Sequence, residues 1–168
     1  MILIAKTFAG CEDILCEELE ALGAENVMGL VMPSRFSSPE SSHDALLLAQ
    51  RLGIETKELS IEGPFKSYLS LLEPYFEGLP FDSTEENLQA RIRGMLLMAF
   101  SNKFGSLVLS TGNKSEYSMG YSTLYGDMCG GLAVIGDVGK MQVYAMGKWL
   151  NREKELIPSN TLNRAPSA

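Results

Sequence analysis

The sequence predicts one α/β domain built on a parallel sheet. Short apolar runs that suit buried strands alternate with segments of helical periodicity, a pattern typical of β-α-β units with right-handed crossovers. The 168 residues, 45% of them hydrophobic and 21% charged, are enough for one globular domain with a core. A polar run follows one of the strands, which places ligand-binding groups at the edge where open α/β sheets bind ligands.

The first part of the chain supplies three strands and two helices. Residues 2–5 (Ile-Leu-Ile-Ala) form an apolar first strand. Glu12 to Leu22 follows as a helix, with leucines on one side and glutamates on the other. We then expect a strand at Val27 to Met32, a helix at Glu40 to Leu52 and a short strand at Glu58 to Ile61.

The second part is predicted to be mostly helical. We expect a helix at Ser67 to Phe76 and a longer one from Ser83 or Thr84 to about Asn102. The longer helix is apolar nearly all round, which predicts burial on more than one face. One face meets the sheet. The other needs either a second copy of the chain, as in a twofold dimer, or cover from Pro64 to Phe81.

The remaining elements are a strand, a helix and a tail. The strand is predicted at Ser106 to Leu109 and the helix at Lys140 to Leu150. Between them lies a glycine-rich stretch, Gly120 to Gly136, whose backbone can approach a ligand closely. Residues Asn160 to Ala168 are polar and are expected to form a tail.

Composition excludes several classes of function. The three cysteines form no C-x-x-C pair and the only histidine is His43, which argues against a zinc site and against histidine-based nucleophilic catalysis. A net charge of −7 with no basic cluster argues against a nucleic-acid partner. No apolar run approaches the roughly 18 residues of a membrane span. The first residues lack the basic start of a signal peptide, so we expect a cytoplasmic protein without a membrane partner.

The run from Ser110 to Glu116 is the strongest candidate site. Its hydroxyls, backbone N–H groups and lysine suit phosphate oxygens, and its carboxylate suits Mg²⁺ or a ribose. The alternative is a polar turn followed by an N-capped helix without a ligand.

Several motifs, taken in order, resemble one family. They are Met32 to Ser38, Glu86 to Gly94, Ser101 to Gly105, Thr111 to Glu116, Tyr125 to Asp127 and Pro166 to Ala168. Together they resemble the synthetase domain of glutamine-dependent NAD synthetases, from about residue 21 to the end of the chain. The resemblance implies a Rossmann-like parallel sheet of the adenine-nucleotide α-hydrolase type, flanked by helices and usually dimeric.

The resemblance also implies a reaction and a set of binding residues. ATP adenylates the carboxylate of deamido-NAD, pyrophosphate leaves, and ammonia from a glutaminase domain, which we do not expect here, displaces AMP. The implied binding residues are Asn87, Arg91, Glu116, Asp127 and Lys140 for deamido-NAD, Met32, Ser34, Arg35 and Thr111 for ATP, and Glu116 for Mg²⁺. No catalytic residue is assigned. Alternatively, none of these residues binds a ligand: Asn87 and Arg91 would lie on a solvated helix face, Asp127 would be a turn residue and Lys140 would be a surface charge.

The sequence departs from the family at its phosphate loop. Family members carry Ser-Gly-Gly-x-Asp-Ser after the first strand, where backbone N–H groups hold the ATP pyrophosphate. Here Lys6 to Asp13 has one glycine, no serine and two carboxylates, which would repel a triphosphate. Gly139 and Met141 stand where the family often has proline and threonine, and the lid segment with its lysine is not expected. We therefore expect little or no catalysis.

The first 27 residues resemble another family. Ala5 to Ala24 is similar to the opening β-α unit of THUMP-containing RNA methyltransferases. The chain is then one domain, residues 1–168, with an atypical unit at 1–27 and a family-like remainder at 28–168. An alternative to the impaired synthetase is an engineered or recombined chimeric scaffold with no enzymatic activity. RNA binding through the first unit is a further, less favoured alternative.

Overall fold

The protein is built around a parallel sheet with helices packed on it. A computed structural model describes residues 2–5 and 26–163. Within them the sheet has the strands β1 Ile2–Ala5, β2 Val27–Val31, β3 Glu55–Glu58, β4 Leu107–Ser110 and β5 Leu132–Ala133. Their order is β3-β2-β1-β4-β5, and every neighbouring pair is parallel. The predicted α/β class with a parallel sheet is confirmed.

The register places β1 at the centre of the sheet. Ile2 pairs with Val27 of β2 on one side and with Leu107 of β4 on the other. The chain builds outward through β2 and β3, and then continues on the opposite side through β4 and β5. The carboxyl ends of β1 and β4 therefore flank the point where strand order reverses, which is where such sheets bind ligands.

Helices follow the strands, and most begin or end at recognisable caps. Those among the described residues are α1 Pro39–Leu52, α2 Glu62–Phe76, α3 Ser83–Phe104, α4 Lys114–Met119, α5 Lys140–Leu150 and α6 Ser159–Asn163. Asp82 and Asn113 cap α3 and α4 through reciprocal bonds with a glutamate three residues on. Gly105 ends α3 with a φ of +62°, a conformation that glycine adopts without strain. The predicted helix at Glu12 to Leu22 lies outside the described residues.

The main core lies between the sheet and helices α2 and α3. It contains residues of β2 and β4 together with the start of α2 and the middle of α3. Burying a side chain of this size contributes about 1.5–3 kcal/mol, so this cluster is a major source of stability. Its members are Met28, Leu30, Met32, Ile61, Phe65, Ile92, Leu97 and Val108.

Helix α3 has one buried side and one exposed side. Ile92 and Leu97 are in the core, whereas Met95 is 67% exposed and Met98 is 40% exposed. Helix α2 packs against α3, as the alternative with cover from Pro64 to Phe81 required. The cover is partial, because exposed apolar side chains remain on both helices.

Three predicted elements differ from the structure. Strand β3 is Glu55–Glu58 instead of Glu58 to Ile61, and α2 begins at Glu62 instead of Ser67. The apolar residues at 59–61 are not a strand, because Ile61 is fully buried at the point where α2 begins. The polar residues before them pair with β2 and form the strand. The first residues of the predicted tail, Asn160 to Asn163, belong to α6, and Asn160 donates to Asp44 Oδ2 at 2.7 Å.

Strand β3 forms one edge of the sheet and is charged. Its four residues are Glu-Thr-Lys-Glu, and Lys57 Nζ lies 2.6 Å from Glu55 Oε1. Within the described ranges, the helices are all too short or too polar to cross a bilayer.

Candidate active site

Polar groups from several segments gather beyond the carboxyl ends of β2 and β4. The segment after β2 contains Met32 to Arg35, and the segment after β4 contains Thr111 to Asn113. Helix α3 contacts the first segment and also a loop that we call the 121–131 loop, which leads into β5. The residues that follow β1, including the predicted phosphate-loop region Lys6 to Asp13, lie outside the described residues.

A chain of hydrogen bonds joins α3 to the 121–131 loop. The Thr123 hydroxyl donates to Asn87 Oδ1 at 2.8 Å, and the Thr123 N–H donates to Asp127 Oδ1 at 2.8 Å. Arg91 Nε donates to the carbonyl oxygen of Leu124 at 3.2 Å. Asn87 and Arg91 are four residues apart and share one face of α3. Both predicted substrate residues of the helix therefore meet the loop that carries Asp127.

Two glycines allow this loop to lie directly on α3. A Cβ at Gly94 of α3 would lie 2.8 Å from the carbonyl oxygen of Tyr125, and one at Gly126 would lie 2.9 Å from the Cβ of Ala90. Tyr125 itself has a φ of +63°, in the left-handed region that few non-glycine residues adopt. Such backbone strain occurs most often where function fixes a loop.

Glu116 and Lys140 lie together beside the start of α4. Lys140 Nζ is 3.7 Å from Glu116 Oε1, and these side chains are only 28% and 18% exposed. Asn113 holds the glutamate, because its N–H donates to Glu116 Oε2 at 3.0 Å. The backbone N–H of Lys140 donates to Ser115 Oγ at 3.0 Å, which ties the start of α5 to α4.

The negative charge of Glu116 acts on the carboxyl group of Asp127. Burial raises the pKa of the Asp127 carboxyl, and the negative charge of Glu116 raises that pKa further. The five predicted deamido-NAD residues are therefore linked into one region by contacts or charge: Asn87, Arg91, Glu116, Asp127 and Lys140.

The predicted magnesium residue, Glu116, can be compared with the usual chemistry of that ion. In the described part of the chain, no cluster of three or more His, Cys, Asp or Glu could hold a metal by itself. Magnesium is commonly held by one or two carboxylates, with waters and substrate phosphates completing its octahedron. Glu116, the residue predicted for Mg²⁺, has a carboxylate of the kind that such a site uses, but its Oε1 is 3.7 Å from Lys140 Nζ and its Oε2 accepts from the Asn113 N–H.

The predicted ATP residues lie on two segments. Met32 is 4% exposed, with its side chain in the main core, and Ser34 Oγ accepts a hydrogen bond from the Phe36 N–H at 3.3 Å. Thr111 is half-buried immediately after β4. The two segments are separated in the sheet by β1 alone, so the residues are placed on either side of the central strand.

Arg35 is engaged by a carboxylate of the protein itself. Its guanidinium forms an ion pair with Glu62, and its Nε donates to Glu62 Oε1 at 2.9 Å. The hydrogen bond from Arg35 lowers the pKa of Glu62. The Arg35 guanidinium carbon also lies 5.8 Å from the centre of the Phe65 ring. This predicted ATP contact is therefore satisfied locally.

The sequence did not predict a role for three residues of this region: Thr123, Arg93 and Tyr117. Tyr117 lies over Gly112, where a Cβ would be 2.5 Å from its ring, and its hydroxyl is 2.8 Å from Ser110 Oγ. The position of Thr123 just before Tyr125–Asp127 was the available signal for the first of them.

Residues 11–168 match the family model described as NAD synthase. The chain belongs to the NAD synthase family. It is 56% identical over 150 residues to the glutamine-dependent NAD(+) synthetase of Synechocystis, covering 89% of this chain and 27% of that protein. It is 59% identical over 151 residues to the enzyme of that name from Thermotoga maritima, covering 89% of this chain and 26% of the relative. The chain thus spans about a quarter of the length of these relatives.

A solved member of the NAD synthase family has the same fold. The glutamine-dependent NAD+ synthetase of Acinetobacter baumannii, in complex with ADP, is 43% identical with a TM-score of 0.92. The likeness covers 98% of this chain and 32% of that one. The resemblance inferred from the motifs is confirmed at the level of the NAD synthase family and its fold.

Proposed function

We propose that this chain binds ATP and deamido-NAD and carries the chemistry of ATP-dependent amidation. The observation that supports this most is that hydrogen bonds join Asn87 and Asp127 through Thr123, while the charge of Glu116, which lies beside Lys140, acts on Asp127. These residues lie beyond β4, next to the point where strand order reverses. The chain spans about a quarter of the length of the glutamine-dependent relatives, so the proposal covers the amidation step alone.

The residues on α3 and the 121–131 loop would bind deamido-NAD. The Asn87 amide, held at Oδ1 by Thr123, offers its N–H donors, and the exposed Arg91 guanidinium suits an anionic group. Asp127 suits a ribose hydroxyl, and the Lys140 ammonium suits a phosphate. Holding the carboxylate of deamido-NAD beside ATP is worth several kcal/mol in a reaction between two bound substrates.

The two segments after β2 and β4 would bind ATP. Met32, Ser34 and Arg35 would hold the adenosine part, as the family resemblance implies, and the Thr111 hydroxyl suits a phosphate oxygen. Glu116 would hold Mg²⁺, which when bound neutralises charge on the leaving pyrophosphate. A carboxylate oxygen of deamido-NAD displaces pyrophosphate from the α-phosphorus, and ammonia then displaces AMP from the acyl carbon.

We further propose that turnover is low, because Lys6 to Asp13 lacks the phosphate loop of the family. Losing preorganised donors at the phosphates removes charge stabilisation worth about 2.7–4 kcal/mol per donor. The test is pyrophosphate release with ATP, Mg²⁺, deamido-NAD and ammonia. It compares this chain with a variant in which Ser-Gly-Gly-x-Asp-Ser replaces the loop.

The two chains separate the possible outcomes. We expect slow release by the chain and a large gain in the loop variant. Equal rates would contradict the impaired phosphate site. Calorimetric titration addresses the alternative of an inactive chimeric scaffold, since a chain that binds neither nucleotide would overturn the proposed function itself.

We also propose that a second copy of the chain covers the exposed apolar side of α2 and α3. Leu71 and Tyr75 of α2 are 66% and 79% exposed, and Met95 of α3 is 67% exposed. Apolar surface of this kind commonly marks an interface, and a twofold dimer is its most frequent form. A monomer mass in light scattering would contradict this proposal.

A further inference from the structure

Helix α3 uses two arginines to contact segments on its opposite sides. Arg91 Nε donates to the carbonyl oxygen of Leu124, and Arg93 Nε donates to the carbonyl oxygen of Met32 at 3.1 Å. Residues two apart on an α-helix point about 200° from each other. Arg91 therefore lies on the side of α3 that we propose binds deamido-NAD, and Arg93 lies on the side that contacts the segment after β2.

Arg93 carries a charge that the described residues do not neutralise. Within residues 2–5 and 26–163, Arg93 forms no ion pair with a carboxylate, whereas the neighbouring Arg35 pairs with Glu62. Both partners of Arg93 are neutral. One is the carbonyl oxygen of Met32, and the other is the Ser34 hydroxyl, whose Oγ lies 3.5 Å from Arg93 Nη2. Burial also lowers the pKa of the Arg93 guanidinium. A cation in this position favours an anionic ligand nearby.

We propose that Arg93 is a positioning residue for ATP, which holds the segment Met32 to Ser34 in its binding conformation. The proposal rests on the proposed function, because it assumes that this segment contacts ATP. The Met32 side chain is fixed in the main core, so a bond to its carbonyl oxygen sets the direction in which the chain leaves β2. The contact to Ser34 Oγ, at the long end of hydrogen-bond distance, is the weaker of the two.

Local bonds carry this positioning further along the segment. Ser34 Oγ accepts from the Phe36 N–H, and the Ser34 N–H donates to Ser37 Oγ at 3.0 Å. The Ser37 N–H in turn donates to the Ser34 carbonyl oxygen at 3.0 Å. Because these bonds close on Ser34, loss of the arginine should loosen the whole turn from residue 34 to 37. The Asn87 and Arg91 contacts on the other side of α3 should remain.

The experiment compares three variants by calorimetric titration with ATP and, separately, with deamido-NAD. Arg93→Met keeps the apolar stem and removes the donors, and Arg93→Lys keeps the charge with a single ammonium group in place of the planar guanidinium. Lys103→Met is the matched control, because it removes an exposed positive charge from the same helix. Amide hydrogen exchange at residues 34–37 is measured on the same samples without a ligand.

We expect Arg93→Met to weaken ATP binding by roughly tenfold or more and to leave deamido-NAD binding within about twofold. Amide exchange at residues 34–37 should rise in that variant. Arg93→Lys should recover part of the ATP affinity, and Lys103→Met should match the parent chain.

Three results would overturn the proposal. The first is unchanged ATP affinity, and the second is an equal loss of affinity for both nucleotides, which would indicate general damage. The third is unchanged amide exchange at residues 34–37. If the parent chain binds neither nucleotide, the proposed function fails, and the exchange measurement still decides whether Arg93 holds the segment.

Discussion

Replacing Gly94 with alanine tests how tightly α3 must pack on the 121–131 loop. The new Cβ would lie 2.8 Å from the Tyr125 carbonyl oxygen, 3.1 Å from that of Gly126 and 3.3 Å from Cys129 Sγ. Two of these three atoms are backbone, so the loop itself must move. Overpacking of this kind costs about 1–3 kcal/mol, and it opposes the gain of about 1 kcal/mol that alanine brings to a helix interior.

Gly63→Ala in α2 is the matched control, because nothing lies within 4 Å of a Cβ at that position. Because Gly63 lies in the first turn of α2 and directly precedes Pro64, the helix-propensity gain is offset there, and the free energy of unfolding should change by less than about 1 kcal/mol. The Tm difference between the two variants then reports mainly the packing cost, which corresponds to roughly 2–12 °C for a domain of this size. Thermal unfolding followed by circular dichroism measures it, and deamido-NAD affinity should fall in Gly94→Ala only. Equal Tm values for the two variants would refute the close packing of loop and helix.

Three further predictions concern the site. Thr123→Val removes the hydroxyl that holds Asn87, so deamido-NAD binding should weaken by about threefold to tenfold in calorimetry with ATP binding unchanged, whereas Thr123→Ser should bind normally. Burial and Glu116 raise the pKa of Asp127, so its ionisation costs stability as the pH rises through that pKa. Asp127→Asn should therefore raise the Tm at neutral pH, and the gain should vanish below pH about 3, where Asp127 is protonated in both the folded and the unfolded chain; a gain independent of pH would contradict this. Glu62→Gln removes the carboxylate that holds Arg35, so ATP should bind more tightly in the same titration, and weaker binding would show that Glu62 orients the arginine for its ligand.

Much of the fold follows from the apolar pattern of the sequence. The strands at residues 2–5 and 27–31 pair with a neighbour on both sides, and their continuous apolar runs are typical of parallel strands. Strand β3 lacks that signal because it lies at an edge and is charged, so the sequence pattern pointed to the buried residues after it. The two residues of β5 are too few for any periodicity to mark them.

The candidate site was predictable where a motif carries its own chemistry. Thr111 to Glu116 follows a strand, and both capping and polarity mark it. Arg93 gave no such signal, because its partner is the backbone oxygen of Met32, 61 positions away in the sequence. The contact of Thr123 with Asn87 spans 36 positions and likewise depends on how α3 lies against the loop. Contacts of this kind follow from tertiary packing, which local pattern does not specify.

The charged edge at β3 has a consequence for how copies of this protein meet. An unpaired strand edge is a template for adding strands from other molecules, and charged side chains there oppose such growth. If two β3 strands paired antiparallel across a twofold axis, the glutamates of one copy would lie opposite the glutamates of the other, and their negative charges would repel. Sheet continuation from molecule to molecule is therefore disfavoured on this side, so the chain resists fibrous growth there while its helices stay free to form discrete contacts.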